Sequence, residues 1–128
     1  MLLRFIKGSG SLTYAAANNH PVIISGGMSK HLSYDKMPVG KGEKTDRFTA
    51  FSTPVKSGDT LYLYTDGYAD QFGGPRGKKF KYKPLNELLS ANASLPLEEQ
   101  SKKLTKNFED WKGDLEQVDD VCVIGIRF

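Results

Sequence analysis

Acidic residues stand beside two apolar stretches of this 128-residue chain, and their types and positions could support chemistry. Asp66 follows the run "TLYLYT" at 60–65, and Asp119 and Asp120 precede the run "VCVIGI" at 121–126. If the two runs are antiparallel neighbouring strands, both acidic sites lie at one end of a sheet. Carboxylates gathered at one point repel each other, and a divalent cation removes that cost. Oxygen ligands alone favour a hard ion, Mg²⁺ or Mn²⁺.

Each acidic site also has a purely structural interpretation. Asp-Gly after a strand is the commonest hairpin signal, so the local sequence favours a turn at Asp66 over a functional role. Asp119 and Asp120 suit a cap, or a pair that protects a strand edge, about as well as they suit a site. Asp59, in "SGD", is interpreted as a turn residue, and His20 as a turn residue with a local hydrogen bond.

Other site chemistries fail on spacing. Zinc would need clustered histidines and cysteines, whereas His20 and His31 are isolated and Cys122 is the one cysteine. Cys122 lies in an apolar run and is interpreted as a small buried hydrophobic residue. A haloacid-dehalogenase nucleophile would require an aspartate where Tyr64 stands. An EF-hand starting at Asp66 would have glycine at its twelfth position, and neither a P-loop nor Gly-x-Ser-x-Gly occurs.

Composition sets the class of protein. With 38% hydrophobic and 26% charged residues, the chain is expected to form one globular domain. One cysteine cannot make an internal disulfide, which predicts a reducing, cytoplasmic compartment. No apolar stretch reaches the ~20 residues of a membrane span, so no membrane contact is expected in this chain. The basic run at 76–83 is predicted to be a solvated face, and without a binding motif it indicates no nucleic-acid partner.

The elements that must position the acidic residues follow in the order five strands, two helices, one strand. Apolar runs separated by glycine-rich and polar turns predict strands at 2–6, 12–17, 22–25, 47–55 and 60–65. Residues 26–31 are predicted to be a turn. Residues 82–113 have helical spacing, with Ser94 as the expected cap of the second helix and Gly113 as its stop. A last strand is predicted at 121–128, so the fold class is α+β with mostly antiparallel strands.

Several stretches together resemble a known family. "VKSGDTLYLYTDGYADQFGG", "KKF", "WKG" and "EQVDDVCVIGI" resemble the SpoIIE-type serine phosphatase domain, of the PPM (phosphatase 2C-like) class of metal-dependent phosphatases. "LTYAAANNHPVII" and "MPVG" are similar to two further segments of that family, so the resemblance covers nearly the whole chain. It implies a layered β-sandwich flanked by helices, with a two-metal site at one end of the sheets.

The resemblance also implies roles for particular residues. Asp66 matches the Thr-Asp-Gly metal ligand, and Asp119 matches the second ligand. Asp120 stands where relatives have Asp or Asn, and it is included in the expected metal set. Two Mn²⁺ or Mg²⁺ ions would activate a water that attacks phosphoserine or phosphothreonine. The implied substrate is a phosphoprotein of a bacterial signalling system, of the anti-sigma-factor-antagonist type.

The sequence departs from the family at its start. The family's domain begins with strands that carry a metal-bridging aspartate and an Asp-x-x-Gly-His-Gly-like segment, and nothing in this chain matches them. Residues 1–128 therefore resemble the C-terminal two-thirds of the domain, and this partial domain is expected to be inactive alone. Missing strands would leave a sheet edge open, which predicts a homodimer or strand swap. The alternative is a degenerate phosphatase fold that serves as a protein-binding regulatory module.

Overall fold

The computed structural model describes residues 1–6, 8–42 and 46–128, which form nine strands and three helices. In chain order they are β1 (Leu2–Phe5), β2 (Ser11–Ala15), β3 (Val22–Ser25), β4 (Met28–His31), β5 (Phe51–Pro54), β6 (Thr60–Tyr64), α1 (Gly67–Asp70), β7 (Phe72–Gly73), β8 (Lys78–Lys79), α2 (Tyr82–Asn92), α3 (Leu97–Lys112) and β9 (Val123–Arg127).

These elements stack in layers. One sheet has the order β1-β2-β5, a second has the order β4-β3-β6-β9, and every strand pair in them is antiparallel. Alternation along β3 divides the core: Ile23 packs towards the first sheet, while Val22 and Ile24 pack towards α2 and α3. The predicted α+β sandwich flanked by helices is confirmed.

Apolar residues at helical spacing attach α2 and α3 to the second sheet. Leu85 and Leu89 in α2, and Leu104 and Phe108 in α3, are buried pairs four residues apart. The helix α3 ends at Lys112, and Gly113 follows it as the predicted stop, with φ at +54°.

The start of α3 differs from the prediction. The residue that caps it is Pro96, without a side-chain hydrogen bond, so the expected cap at Ser94 is wrong. Pro96 has φ −53° and ψ 143°, an extended conformation from which a helix can begin without a hydroxyl cap.

Two differences concern strands. The segment predicted as a turn contains β4, which pairs with β3 across Gly26 and Gly27, both at positive φ. The strand was missed because all its side chains are exposed and show no apolar alternation. The strand β5 is shorter than predicted, since Thr49 donates its N–H and hydroxyl to the Asp35 carboxylate at 2.8 and 2.9 Å instead of joining the ladder.

The two sheets end on the same side of the molecule. The strands β1 and β9 are the last strands of their sheets, and the rings of Phe5 and Phe128 lie 5.0 Å apart, centroid to centroid. Large apolar side chains on this side are exposed, among them Leu2 at 75% and Ile124 at 48%. We call Leu2, Phe5, Ile6 and Ile124 the open edge.

Within the described part of the chain, no helix combines the length and the apolar character needed to cross a lipid bilayer.

Candidate functional site

The pairing of β6 with β9 brings the acidic segments together. The two strands run antiparallel, with Tyr64 opposite Val123 at the end of the ladder. Asp66 follows β6 by two residues, and Asp119 and Asp120 lie shortly before β9. The predicted meeting of the two segments at one end of the sheet is therefore confirmed.

Thr65 joins the two segments beyond the ladder. Its hydroxyl donates a hydrogen bond to the Asp120 carbonyl oxygen at 2.7 Å and accepts one from the Cys122 N–H at 3.0 Å. Its own N–H donates to the Cys122 carbonyl oxygen at 3.0 Å. Thr65, which precedes Asp66, is thus hydrogen-bonded to the residues on both sides of Val121. These hydrogen bonds hold the Asp120 backbone beside β6.

Gly67 allows the segments to approach closely. A Cβ atom at this position would lie 2.5 Å from the Asp120 carbonyl oxygen, a distance that any larger residue would have to relieve by moving the backbone. Gly67 also starts α1, so the hairpin turn suggested by Asp-Gly is absent. Asp66 occupies the cap position of α1 but its side chain makes no capping hydrogen bond. The carboxylate is exposed and is not used for local structure in the way a turn residue would be.

The other acidic pair is partly engaged locally. The Asp119 carboxylate accepts the Asp120 N–H at 2.7 Å, and the Gln117 side chain donates to the Asp119 carbonyl oxygen at 2.8 Å. Both aspartates are exposed. The hydrogen bond that the Asp119 carboxylate accepts is of the kind expected if Asp119 is a cap. The side chain of Asp120 is exposed.

The donor chemistry suits a hard cation, but the residues that the structure describes do not form a complete site. Asp66, Asp119 and Asp120 offer carboxylate oxygens of the kind that Mg²⁺ and Mn²⁺ prefer. Among the described residues, however, no group of three or more His, Cys, Asp or Glu side chains is placed to hold a metal ion. The three aspartates as metal ligands therefore stay a prediction, and further ligands would have to come from outside these residues.

Asp66 and Asp70 place two carboxylates at the two ends of α1. Asp70, at the end of α1, forms a half-exposed ion pair with Lys79 at 3.1 Å. Burial raises the pKa of the Tyr82 phenol, and the charges of Asp66 and Asp70 raise it further. An end of the sheet with this charge would repel a phosphate group unless a cation neutralised it.

His20 lies in an aromatic cluster at the same end of β6. Its ring centroid is 4.5 Å from that of His31, and the rings of Tyr34, Tyr64 and Tyr82 surround it at 5.9 to 6.3 Å. Its Nε2 atom is buried without a hydrogen-bond partner, which differs from the local bonding expected of a turn residue. Burial lowers the pKa of His20, and the neighbouring His31 lowers it further.

The interpretation of Cys122 as a buried residue is wrong. Its side chain is exposed. The reason is that β9 is the last strand of its sheet, so an apolar run along it is covered on fewer sides than a central strand would be.

Two residues beside the site were not assigned from the sequence. The sequence predicts Thr65 only as the end of a strand, although a hydroxyl directly before Asp-Gly is a signal for a bridging role. Gln71 is completely buried, and no sequence pattern marks a glutamine whose side chain binds Glu116 and Val118, more than forty residues away.

The family model and the solved structures that match this chain indicate the same family. The family model described as Stage II sporulation protein E (SpoIIE) matches residues 1–128. The solved SiaA-PP2C domain of Pseudomonas aeruginosa is 28% identical with a TM-score of 0.84, over 93% of this chain and 47% of that one. A comparison with curated proteins gave no match.

Two more distant structures share the fold. The PP2C phosphatase domain of SpoIIE from Bacillus subtilis, solved with a fragment of its regulatory domain, is 20% identical with a TM-score of 0.65, over 92% of this chain and 34% of that one. The RsbU and RsbW domains of a Mycobacterium tuberculosis protein give 20% identity and a TM-score of 0.67, over 94% and 33%. This chain therefore spans about half or less of each structure it matches.

Proposed function

We propose a function from the premise that the chain belongs to the SpoIIE family, whose fold is that of PP2C-type phosphatase domains. In our proposal, residues 1–128 are the C-terminal part of a metal-dependent protein serine/threonine phosphatase domain. The substrate would be a phosphoprotein of a bacterial signalling system, of the anti-sigma-factor-antagonist type, and the location cytoplasmic.

The observation that carries this proposal is the junction at Thr65. Its hydroxyl bond to the Asp120 carbonyl oxygen places Asp66 and the Asp119–Asp120 pair on adjacent segments, with exposed carboxylates at one end of the second sheet. A fold alone would not imply catalysis, whereas carboxylates gathered at one point favour a neutralising cation, which a phosphate group could then approach.

Asp66, Asp119 and Asp120 would hold Mn²⁺ or Mg²⁺ together with ligands from the remainder of the domain. The chemistry that such ions supply when bound is a water activated for attack on phosphorus, together with neutralisation of the phosphoryl oxygens. The part played by this chain is to hold one side of that site rigidly, through Thr65 and the glycine contact at Gly67.

We further propose that the chain alone has little or no activity. It spans about half of the Pseudomonas domain it matches, and its described residues lack a complete donor set. The open edge would accept the remainder of the domain or, in the isolated chain, a second copy that forms a homodimer or swaps strands.

The test is Mn²⁺-dependent hydrolysis of a phosphoserine protein by a complete domain that contains this chain. We expect Asp66→Asn to lower kcat/KM by roughly 100-fold or more. The matched control is Asp110→Asn on the exposed face of α3, where Asp110 pairs only with Lys106. Equal activity of Asp66→Asn and the unchanged domain would reject Asp66 as a ligand.

The second candidate is a protein-binding regulatory module, and the incomplete donor set is the observation that favours it. A module of this kind would bind the phosphoprotein without hydrolysing it, with or without Mn²⁺, and Asp66→Asn would leave its affinity unchanged. Turnover by the complete domain would exclude it. The absence of a nucleic-acid partner stays a prediction, testable by salt-dependent binding of unrelated DNA.

A further inference from the structure

Gln71 lies at the centre of a hydrogen-bond network beside the candidate site. Its side chain is fully buried, and its amide nitrogen donates to the carbonyl oxygens of Phe72 at 3.0 Å and Glu116 at 2.9 Å. Its amide oxygen accepts the Val118 N–H at 3.3 Å. One side chain thus binds two backbone groups of the segment 114–120, which we call the acidic loop and which carries Asp119 and Asp120.

Few other interactions hold the acidic loop. All seven of its residues are exposed, including the apolar Leu115 at 48% and Val118 at 53%. Apolar burial therefore contributes little, and the loop depends on hydrogen bonds for a fixed position. Near its start Leu115 N–H donates to the Lys112 carbonyl oxygen, and at its end the Asp120 carbonyl oxygen meets Thr65. The Gln71 amide supplies the contacts between these two ends.

The position of Gln71 itself is fixed from several sides. Its carbonyl oxygen accepts the Phe80 N–H at 2.9 Å and the Trp111 indole N–H at 3.1 Å. Gly73 and Gly74 leave room for Trp111: a Cβ on Gly74 would lie 2.6 Å from the indole ring, and the Gly74 N–H donates to the Trp111 carbonyl oxygen at 2.8 Å. A buried amide in so rigid a place can select one position of the loop.

The same short segment carries Asp66 and Gln71. Between them lies α1, where the Asp70 N–H donates to the Asp66 carbonyl oxygen at 2.9 Å and the side chains of Tyr68 and Ala69 are buried. Asp66 is therefore rigidly connected, through α1, to Gln71. Gln71 in turn binds the acidic loop, which carries the carboxylates of Asp119 and Asp120.

We propose that Gln71 is a positioning residue of the candidate site, which holds the acidic loop through Glu116 and Val118 so that Asp119 and Asp120 stay beside Asp66. The consequence for metal binding and catalysis rests on the proposed function, whereas the effect on the loop does not. Gln71 touches neither a carboxylate nor the substrate in this scheme, and it acts through the backbone of the loop.

The experiment compares Gln71→Met with Gln100→Met by hydrogen–deuterium exchange of the whole chain. Gln100 is a matched control because it is also a buried glutamine, accepts the Tyr62 hydroxyl, and donates to the carbonyl oxygens of Leu95 and Ala93. The two carbonyl oxygens that it binds lie in the loop between α2 and α3, and Tyr62 lies in β6, so none of its partners belongs to the acidic loop. Methionine keeps most of the volume in both cases and removes the amide.

In Gln71→Met we expect the Val118 amide, whose acceptor is removed, to exchange roughly tenfold faster, with α3 unchanged. In Gln100→Met we expect faster exchange around Leu95 and no change in the acidic loop. Mn²⁺ titration of the complete domain should show weaker binding for Gln71→Met only. Acidic-loop exchange that is unchanged in Gln71→Met, or equally faster in both variants, would overturn the proposal.

A measurement on the unchanged chain keeps the proposal testable if Gln71→Met does not fold. Val118 N–H should exchange more slowly than the N–H groups of Glu116 and Gln117, for which the described structure shows no hydrogen-bond acceptor. Equal exchange at all three positions would contradict the role of Gln71. If the complete domain neither binds Mn²⁺ nor hydrolyses phosphoserine, the proposed function fails while the loop measurement still decides this inference.

Discussion

The hydroxyl of Thr65 lies 2.7 Å from the carbonyl oxygen of Asp120, and this hydrogen bond joins two segments that are 55 residues apart in the chain. The Thr65 hydroxyl oxygen also accepts the Cys122 N–H at 3.0 Å, so the hydroxyl is hydrogen-bonded to the backbone on both sides of Val121. The spacing of the acidic segments is therefore set by a side chain placed just beyond the last ladder pair.

Replacing Thr65 by valine keeps the shape of the side chain and removes both hydrogen bonds. We expect the free energy of unfolding to fall by about 1–3 kcal/mol, because the Cys122 N–H and the Asp120 carbonyl oxygen lose their partner. Urea unfolding followed by circular dichroism measures this change. Thr65→Ser retains the hydroxyl and should cost less; equal losses in the two variants would contradict the bridging role.

Replacing Gly67 by alanine should move the Asp120 backbone. The added methyl group would lie 2.5 Å from the Asp120 carbonyl oxygen, so we expect a loss of about 1–3 kcal/mol in stability. Chemical-shift changes at the amides of Val121 and Cys122 would report the displacement. Gly125→Ala is the control, since its nearest atom is the flexible end of Leu97 at 3.3 Å. A stable Gly67→Ala chain with unchanged shifts would contradict the close contact.

His20 should make stability depend on pH in the acid range. Burial, and then His31, lower the pKa of His20 below its ordinary value of 6.5, so the unfolded chain binds a proton more readily than the folded one. The contribution is fully present above pH 6.5 and is lost as the pH falls through the lower pKa of the folded state.

The measurement is the urea midpoint of the unchanged chain and of His20→Phe, taken between about pH 5 and pH 8. Phenylalanine keeps the aromatic packing with Tyr64 and Tyr82 but does not titrate, so we expect a flatter pH profile. His31→Asn, which removes the neighbouring charge, should raise the pKa of His20 towards its ordinary value. The pH range over which the stability falls should then be narrower. An identical pH dependence in the unchanged chain and in His20→Phe would refute this assignment.

A charge placed at the open edge should weaken self-association of the isolated chain. Ile124 is 48% exposed on β9, the last strand of the second sheet, and Ile124→Lys would put an ammonium group where another strand must pack. In sedimentation-velocity experiments we expect the unchanged chain to form a dimer and the Ile124→Lys variant to be a monomer.

The control for this experiment is Met28→Lys on β4, at the opposite end of the same sheet, where the side chain is 76% exposed. It should leave association unchanged. Loss of the dimer in both variants, or in Met28→Lys alone, would contradict the prediction that the open edge forms the interface.

Sequence patterns were reliable where residues are buried on a regular face. The apolar runs of β2 and β6 and the pairs Leu85–Leu89 and Leu104–Phe108 located main strands and helices, because burial favours apolar residues at regular positions. Patterns failed at exposed or very short elements: β4 shows no alternation, and α1 and the β7–β8 hairpin are only four and two residues long. Elements of this kind are stabilised by contacts distant in the chain.

The layered α+β fold, the family and the two acidic segments could be predicted without the structure, since apolar period and motif spacing can be read from the order of residues. The local sequence left Asp66 between a turn and a functional residue, and the resemblance to the SpoIIE family favoured a metal ligand. Only the tertiary structure decided how the segments are joined, because the partners of Thr65 and Gln71 lie about 45 to 57 residues away and no local pattern encodes those hydrogen bonds. The tertiary structure also decided that Cys122 is exposed, because that depends on which strand closes the sheet.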